Sequence, residues 1–150
     1  MVDFSSLLNA KAGEALKPKA LPPGLYPGVI KARQLLEAPA GKEYTIIIRF
    51  DLGLTGWPDE IEESERLQET KPGEFAPIDL SKKRLRRDYY NHRLFDLDDL
   101  IKALGVDPAG RTYDELLPEL VGQPVLVEVA QYLSRDGELQ NQVNNLLAAG

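Results

Sequence analysis

Residues 43–52 alternate more strictly than any other part of the chain. Tyr44, Ile46, Ile48, Phe50 and Leu52 fall on one side, and Glu43, Thr45, Ile47, Arg49 and Asp51 on the other. A strand with one apolar side must bury that side against a second layer, which predicts a sheet folded over one core. Residues 25–38 read as a preceding strand. The link Pro39-Ala40-Gly41-Lys42 is short enough for a hairpin, with Gly41 free to take a positive φ.

The rest of the chain supplies more strands and two short helices. Residues 124–133 and 138–146 read as a hairpin turning at Arg135-Asp136-Gly137, with Val125, Val127 and Val129 on its core face. Its last strand is polar, with Gln140, Asn141, Gln142, Asn144 and Asn145 around Val143. Leu97, Leu100, Ile101 and Leu104 have helical spacing behind Asp96, which reads as an N-cap, and Gly105 ends that helix. Thr112 and Glu115 form a capping box for a second helix that Pro118 should keep short. Residues 53–80 break the rhythm with Gly56, Pro58, Pro72, Gly73 and Pro77. They predict a long inserted loop with at most one helical turn, anchored to the body by Trp57. Residues 10–24 carry Pro18, Pro22 and Pro23 and predict an extended arm. Ahead of the arm, one helical turn would put Phe4, Leu7 and Leu8 on one face.

Charge is unevenly placed. The chain carries a net charge of -6, yet residues 81–95 hold Lys82, Lys83, Arg84, Arg86, Arg87 and Arg93 against Asp88 alone, with Tyr89 and Tyr90 interleaved. Just before them lie Asp59, Glu60, Glu62, Glu63, Glu65, Glu69, Glu74 and Asp79 against Arg66 and Lys71. Cations neutralise phosphates and aromatic faces stack bases, so the basic run suits a groove for single-stranded nucleic acid. On a solvated strand the same residues would only keep the fold in solution. The acidic block would either fold back over the basic one or form a hydrated loop.

Three strands, a helical segment and a two-stranded hairpin follow the element order of the OB-fold, a partly open five-stranded Greek-key barrel that binds oligonucleotides on its second and third strands. The expected architecture is therefore mainly β with short helices: an arm over residues 1–24 and an OB-like barrel over residues 25–150, with residues 54–80 as the acidic insertion. On that frame Lys31, Arg33, Arg49, Arg84, Arg86, Arg87 and Arg93 are the candidate phosphate contacts, and Tyr89, Tyr90 and Tyr132 the candidate stacking rings. Alternate residues of a strand face opposite sides, so only one of Tyr89 and Tyr90 can lie in the groove. Tyr89 is favoured because it shares a face with Arg87 and Arg93, although Leu85 and Phe95 on that face are core signals.

Composition restricts the chemistry. The chain contains no cysteine and a single histidine, His92. Disulfides, thiolate metal sites and His-His metal pairs are excluded. Asp96, Asp98 and Asp99 are accounted for by helix capping, and the chain lacks a GxxxxGK[ST] phosphate loop. These features predict a protein without catalytic activity, metal or cofactor. No apolar run approaches the roughly 18 residues of a spanning helix, so a soluble, intracellular protein with no membrane partner is expected.

Several short motifs carry a family resemblance. They are Asp3-Phe4-Ser5, residues 21–30 (LPPGLYPGVI), 79–90 (DLSKKRLRRDYY), 100–106 (LIKALGV), 120–129 (LVGQPVLVEV) and Asn141-Gln142-Val143. Together they resemble a tailed-phage family of small proteins described as similar to phage single-stranded DNA-binding proteins. The resemblance implies a phage origin, an OB-like body, single-stranded DNA as partner and action in replication or recombination in the host cytoplasm. Replicative single-strand binders commonly end in an acidic tail. This chain ends in neutral residues 144–150, so an acidic element contacting other replication proteins would be the internal one, at residues 59–74. The alternative is a virion structural or assembly protein that docks through its apolar arm. A homo-oligomer is expected on either reading.

Overall fold

The computed structural model describes residues 2, 4–9 and 18–149. In chain order the elements are α1 (Ser5–Leu8), β1 (Gly24–Glu37), β2 (Ile46–Leu54), β3 (Leu67–Lys71), β4 (Glu74–Pro77) and β5 (Leu85–Tyr90). They are followed by α2 (Leu94–Ala103), α3 (Tyr113–Leu120), β6 (Pro124–Leu133) and β7 (Leu139–Ala148). The alternation of residues 43–52 becomes β2, which buries Ile48, Phe50, Leu52 and Leu54. The main sheet is antiparallel, in the order β5-β2-β1-β6-β7.

β1 serves two partners. Gly24 to Val29 pair with β6, and Gly28 to Glu37 pair with β2. At Gly28, where the two ladders overlap, an added Cβ would lie 2.6 Å from the Gly53 carbonyl oxygen. Just beyond, Ile30 faces Leu52 but Ala32 faces Asp51, so Lys31 is an inserted bulge residue that bends the strand. The bend turns the edge strands β5 and β7 toward each other, without a hydrogen-bonded ladder between them among the described residues. α2 packs on both β5 and β7 through buried Leu97, Leu100 and Ile101, and α3 packs on β1 while burying Leu116, Leu117 and Leu120. No described helix is long and apolar enough to cross a membrane.

Local expectations hold at several turns and caps. Gly41, Gly105 and Gly137 have positive φ, and the Thr112 side chain accepts from the Glu115 N–H at 3.3 Å. Four expectations are corrected. The basic run is a strand only to Tyr90. Residues Asn91–Arg93 form a 3-10 turn, and the helix starts at Leu94 rather than behind Asp96, which leaves Phe95 exposed. Asn91 causes this early release. Its Oδ1 accepts from the Thr45 and Ile46 N–H groups at 3.0 and 3.1 Å, and its Nδ2 donates to Thr45 Oγ1 at 2.9 Å. A side chain thus takes the place of the ladder. Asp96 lies within the first helical turn and accepts from Arg93 Nε at 3.1 Å.

The segment 53–80 is more ordered than a loop. It contains a 3-10 turn at Glu63–Arg66 and the β3–β4 hairpin, whose Pro72-Gly73 turn places Gly73 at φ 81. It is also docked. Ile61 and Ile78 are buried, Trp57 packs 5.7 Å from Tyr26, and the Arg66 guanidinium sits 5.6 Å above the Trp57 ring. Arg66 also donates to the carbonyls of Ile61 and Pro58. α3 is short, as Pro118 predicts, and ends two residues beyond it at Leu120. The proline forfeits one helical bond, to the Asp114 carbonyl, while burial of Leu117 and Leu120 on either side holds the turn.

The end of the arm belongs to the body. Leu21 is fully buried. Its N–H donates to Asn141 Oδ1 at 2.7 Å, and its carbonyl accepts from Asn141 Nδ2 and Gln131 Nε2, both at 2.9 Å. Lys83 Nζ donates to the Lys19 carbonyl at 2.8 Å. Residues 10–17 lie outside the described residues. In the preceding segment the expected helical turn is α1, and Phe4, Leu7 and Leu8 are exposed.

Two stability predictions follow from this packing. Leu21→Ala should lower the free energy of urea unfolding by about 2–5 kcal/mol. Asn141→Ala should cost about 2 kcal/mol, and the two changes should be strongly non-additive because they break one latch. The second concerns Tyr26, whose hydroxyl donates to the Pro22 carbonyl at 2.7 Å and whose burial pushes its pKa up to about 12. A raised phenol pKa favours the folded state fully below about pH 10, the unfolded value, and that contribution is lost as pH rises toward the folded value. Chemical denaturation should therefore show stability falling between about pH 10 and 12, with a smaller fall in Tyr26→Phe.

Candidate nucleic-acid interface

Where β5 and β7 face each other, the sheet opens into a cleft of about 640 Å³. Arg49, Arg84, Arg86, Arg87, Tyr90 and Tyr132 from the sequence-derived set line it, together with Gln34, Asp51, Asp88 and the Asn141 to Val143 edge of β7. The register of β5 on β2 decides which side each residue takes. Arg86 pairs with Asp51, Asp88 with Arg49 and Tyr90 with Ile47, all on the outer face. Leu85 pairs with Leu52, Arg87 with Phe50 and Tyr89 with Ile48, on the core side.

This register reverses the choice between the two tyrosines. Tyr89 is 3% exposed and meets Phe50 edge-on at 5.8 Å, and burial raises its pKa. The apolar signal of Leu85, itself buried, outweighs the shared face with Arg87. Tyr90 is the ring in the cleft. Arg87 starts on the core side and is forced along the β5–β7 seam. Its guanidinium lies 4.7 Å above the Tyr89 ring, and its Nη1 donates to the Asp88 carbonyl at 3.2 Å. Its Nε is buried without a hydrogen-bond partner.

The arginines differ in how free their charge is. Arg49 is held by Asp88 through two parallel bonds, Nε to Oδ1 at 2.8 Å and Nη2 to Oδ2 at 3.0 Å. Its pKa is raised, mainly by that hydrogen bond. Asp51 accepts from Gln34 Nε2 at 2.8 Å. Arg84 and Arg86 are exposed and, among the described residues, make no ion pair or hydrogen bond. They are the exposed cations of the cleft.

Three candidates lie elsewhere. Lys31 and Arg33, two residues apart, would share one face of a regular strand, but the bulge at Lys31 shifts the alternation, so that Arg33 pairs with Phe50 and takes the core side. Lys31 lies across Gly53, where an added Cβ would come within 2.7 Å of its Cδ. Arg93, outside the strand, caps α2, pairs with Asp96 and sits 4.7 Å above the Phe95 ring. Tyr132 stands on the β7 side of the cleft, its hydroxyl donating to Gln140 Oε1 at 2.8 Å.

Sequence reasoning missed Tyr44, which alternation alone assigns to the core face. It precedes β2, where the Asn91 side chain holds Thr45 and Ile46, and its ring lies 4.2 Å from that of Tyr90. His92 completes the group at 5.4 Å from Tyr44 and 6.1 Å from Tyr90, with its Nε2 3.8 Å from Glu43. The signal available was an aromatic at the head of an alternating run. The acidic residues 59–79 contribute nothing to the lining of the cleft. Among the described residues, no group of three or more His, Asp or Glu is arranged to hold a metal ion. Compared with known proteins, the chain matches no family model and no curated protein.

Proposed function

We propose that this is a non-catalytic, phage-type protein that binds single-stranded DNA in the β5–β7 cleft and acts in replication or recombination in the host cytoplasm. The observation that carries this reading is the pair Arg84 and Arg86, exposed and unpaired on one face beside the Tyr90 ring. Unpaired guanidinium groups keep their charge for phosphates, and an adjacent aromatic face stacks a base whatever its identity. The sheet order supports an OB-like body. Its edge strands turn toward each other, and helices lie between the third and fourth strands of the main sheet, as in an open five-stranded Greek-key barrel. The net charge of -6 disfavours duplex DNA, whose second strand would lie outside the cleft against an acidic surface.

A virion or assembly role is the second reading. The observation favouring it is the exposure of Val2, Phe4, Leu7 and Leu8 near the N-terminus, an apolar set suited to docking on a neighbouring subunit. Recovery of the protein in purified particles, rather than only in infected cytoplasm, would favour it.

Binding to labelled oligonucleotides at several salt concentrations tests the main reading. Changing Arg84 and Arg86 together to Ala should weaken binding and flatten the slope of log K against log salt by about 1.4, at roughly 0.7 per phosphate contact. Tyr90→Ala should cost about 1–3 kcal/mol of binding with the fold intact. Asp88→Asn should release Arg49 into the cleft and steepen the slope by about 0.7. If the arginine pair and Tyr90 can both be removed without effect on binding, the basic strand is only a solvated face.

A further inference from the structure

We infer that the outer face of β5 is a short track for a drawn-out, unstacked single strand, with a single base-stacking subsite at one end. In this track Tyr44 acts as a positioning residue for Tyr90. The inference rests on the nucleic-acid reading of the cleft and says how the strand lies in it. Tyr90, the last residue of β5, has one side on the cleft and the other against Tyr44, 4.2 Å away and tilted by 40°. Tyr44 is fixed in turn by the bonds from Asn91 to Thr45 and Ile46, and by His92 at 5.4 Å. Tyr90 is therefore backed by a ring and cannot swing away when a base presses on it.

From that end the free cations recede along the strand. Arg86 shares the outer parity with Tyr90, Arg84 lines the same cleft just ahead of β5, and same-face positions lie about 6.6 Å apart. A step of that size takes one nucleotide of a drawn-out strand or two nucleotides stacked at roughly 3.4 Å each. Tyr90 is the one ring on the outer face of β5, which favours the drawn-out strand, with one base on the ring and the others unstacked. The other end is closed. Lys83 Nζ is tied to the Lys19 carbonyl, and Lys19 Nζ donates to the carbonyls of Glu65 and Leu67 within the acidic insertion. From Tyr90 to Arg84 the track is about 20 Å long, which fits about four nucleotides, the low end for one small barrel.

The test uses the full chain and oligothymidylates of two to eight nucleotides, with 2-aminopurine placed at each position in turn. Affinity should rise with length and level off near four nucleotides, and fluorescence should be quenched at one terminal position only. Tyr44→Leu keeps apolar volume but removes the ring. It should abolish that quenching and lower affinity by roughly fivefold, with the salt slope and the thermal midpoint unchanged. Tyr44→Phe should restore both quenching and affinity. Equal quenching at every position, or a Tyr44→Leu protein indistinguishable from the parent, would overturn the inference while leaving the arginine contacts standing. A paired Arg84→Ala, Arg86→Ala protein that still binds every oligomer with the parent's affinity and salt slope would overturn the reading on which it rests.

Discussion

The architecture depends on one long strand that pairs with two others along different halves of its length. β1 meets β6 with its first half and β2 with its second, and the bulge at Lys31 absorbs the change of direction. Without that bend the sheet would stay open and flat, β5 and β7 would be remote edges, and no cleft would form between them. The same inserted residue reassigns sides along the rest of β1. It turns Arg33 away from the cleft and brings Gln34 into it, where Gln34 holds Asp51.

Most of the sheet was legible because its signal is local. The alternation of β2, the valines of β6 and the glycine turns each depend on a few neighbouring residues, and each gave the right element. Several misreadings come from a side chain or bulge that redirects the strand around it. Asn91 ends β5 by binding the start of β2 across the sheet, so Arg93 leaves the strand and Tyr44 leaves the core face. The β3–β4 hairpin was obscured because charged residues fill it and its two strands are mostly exposed, which removes the apolar alternation. The candidate site was legible in kind rather than in parity. The basic strand, Tyr90 and Tyr132 do line one cleft, while the choice of Tyr89 failed because Leu85, not Arg87, reports which side is buried.

Charge is partitioned rather than balanced. Asp88 saturates Arg49, whereas Asp51, hydrogen-bonded by the neutral amide of Gln34, keeps its negative charge beside Arg84 and Arg86, the exposed cations of the cleft. A net charge of -6 opposes the approach of any polyanion at long range, so on the proposed reading the arginines of the cleft would act only at short range. Selectivity would then come from shape, because the partner would have to be narrow enough to enter.

Asn141 has a consequence for how the protein responds to load. Its amide holds both backbone groups of Leu21, and the same residue stands in the wall of the cleft. The chain entering β1 and the β7 edge are thus joined through one side chain, with Lys83 making a second tie from the start of the basic strand to Lys19. Tension on the N-terminal segment is delivered to both walls of the cleft at once. Whatever grips that segment also has a handle on the spacing of the two walls.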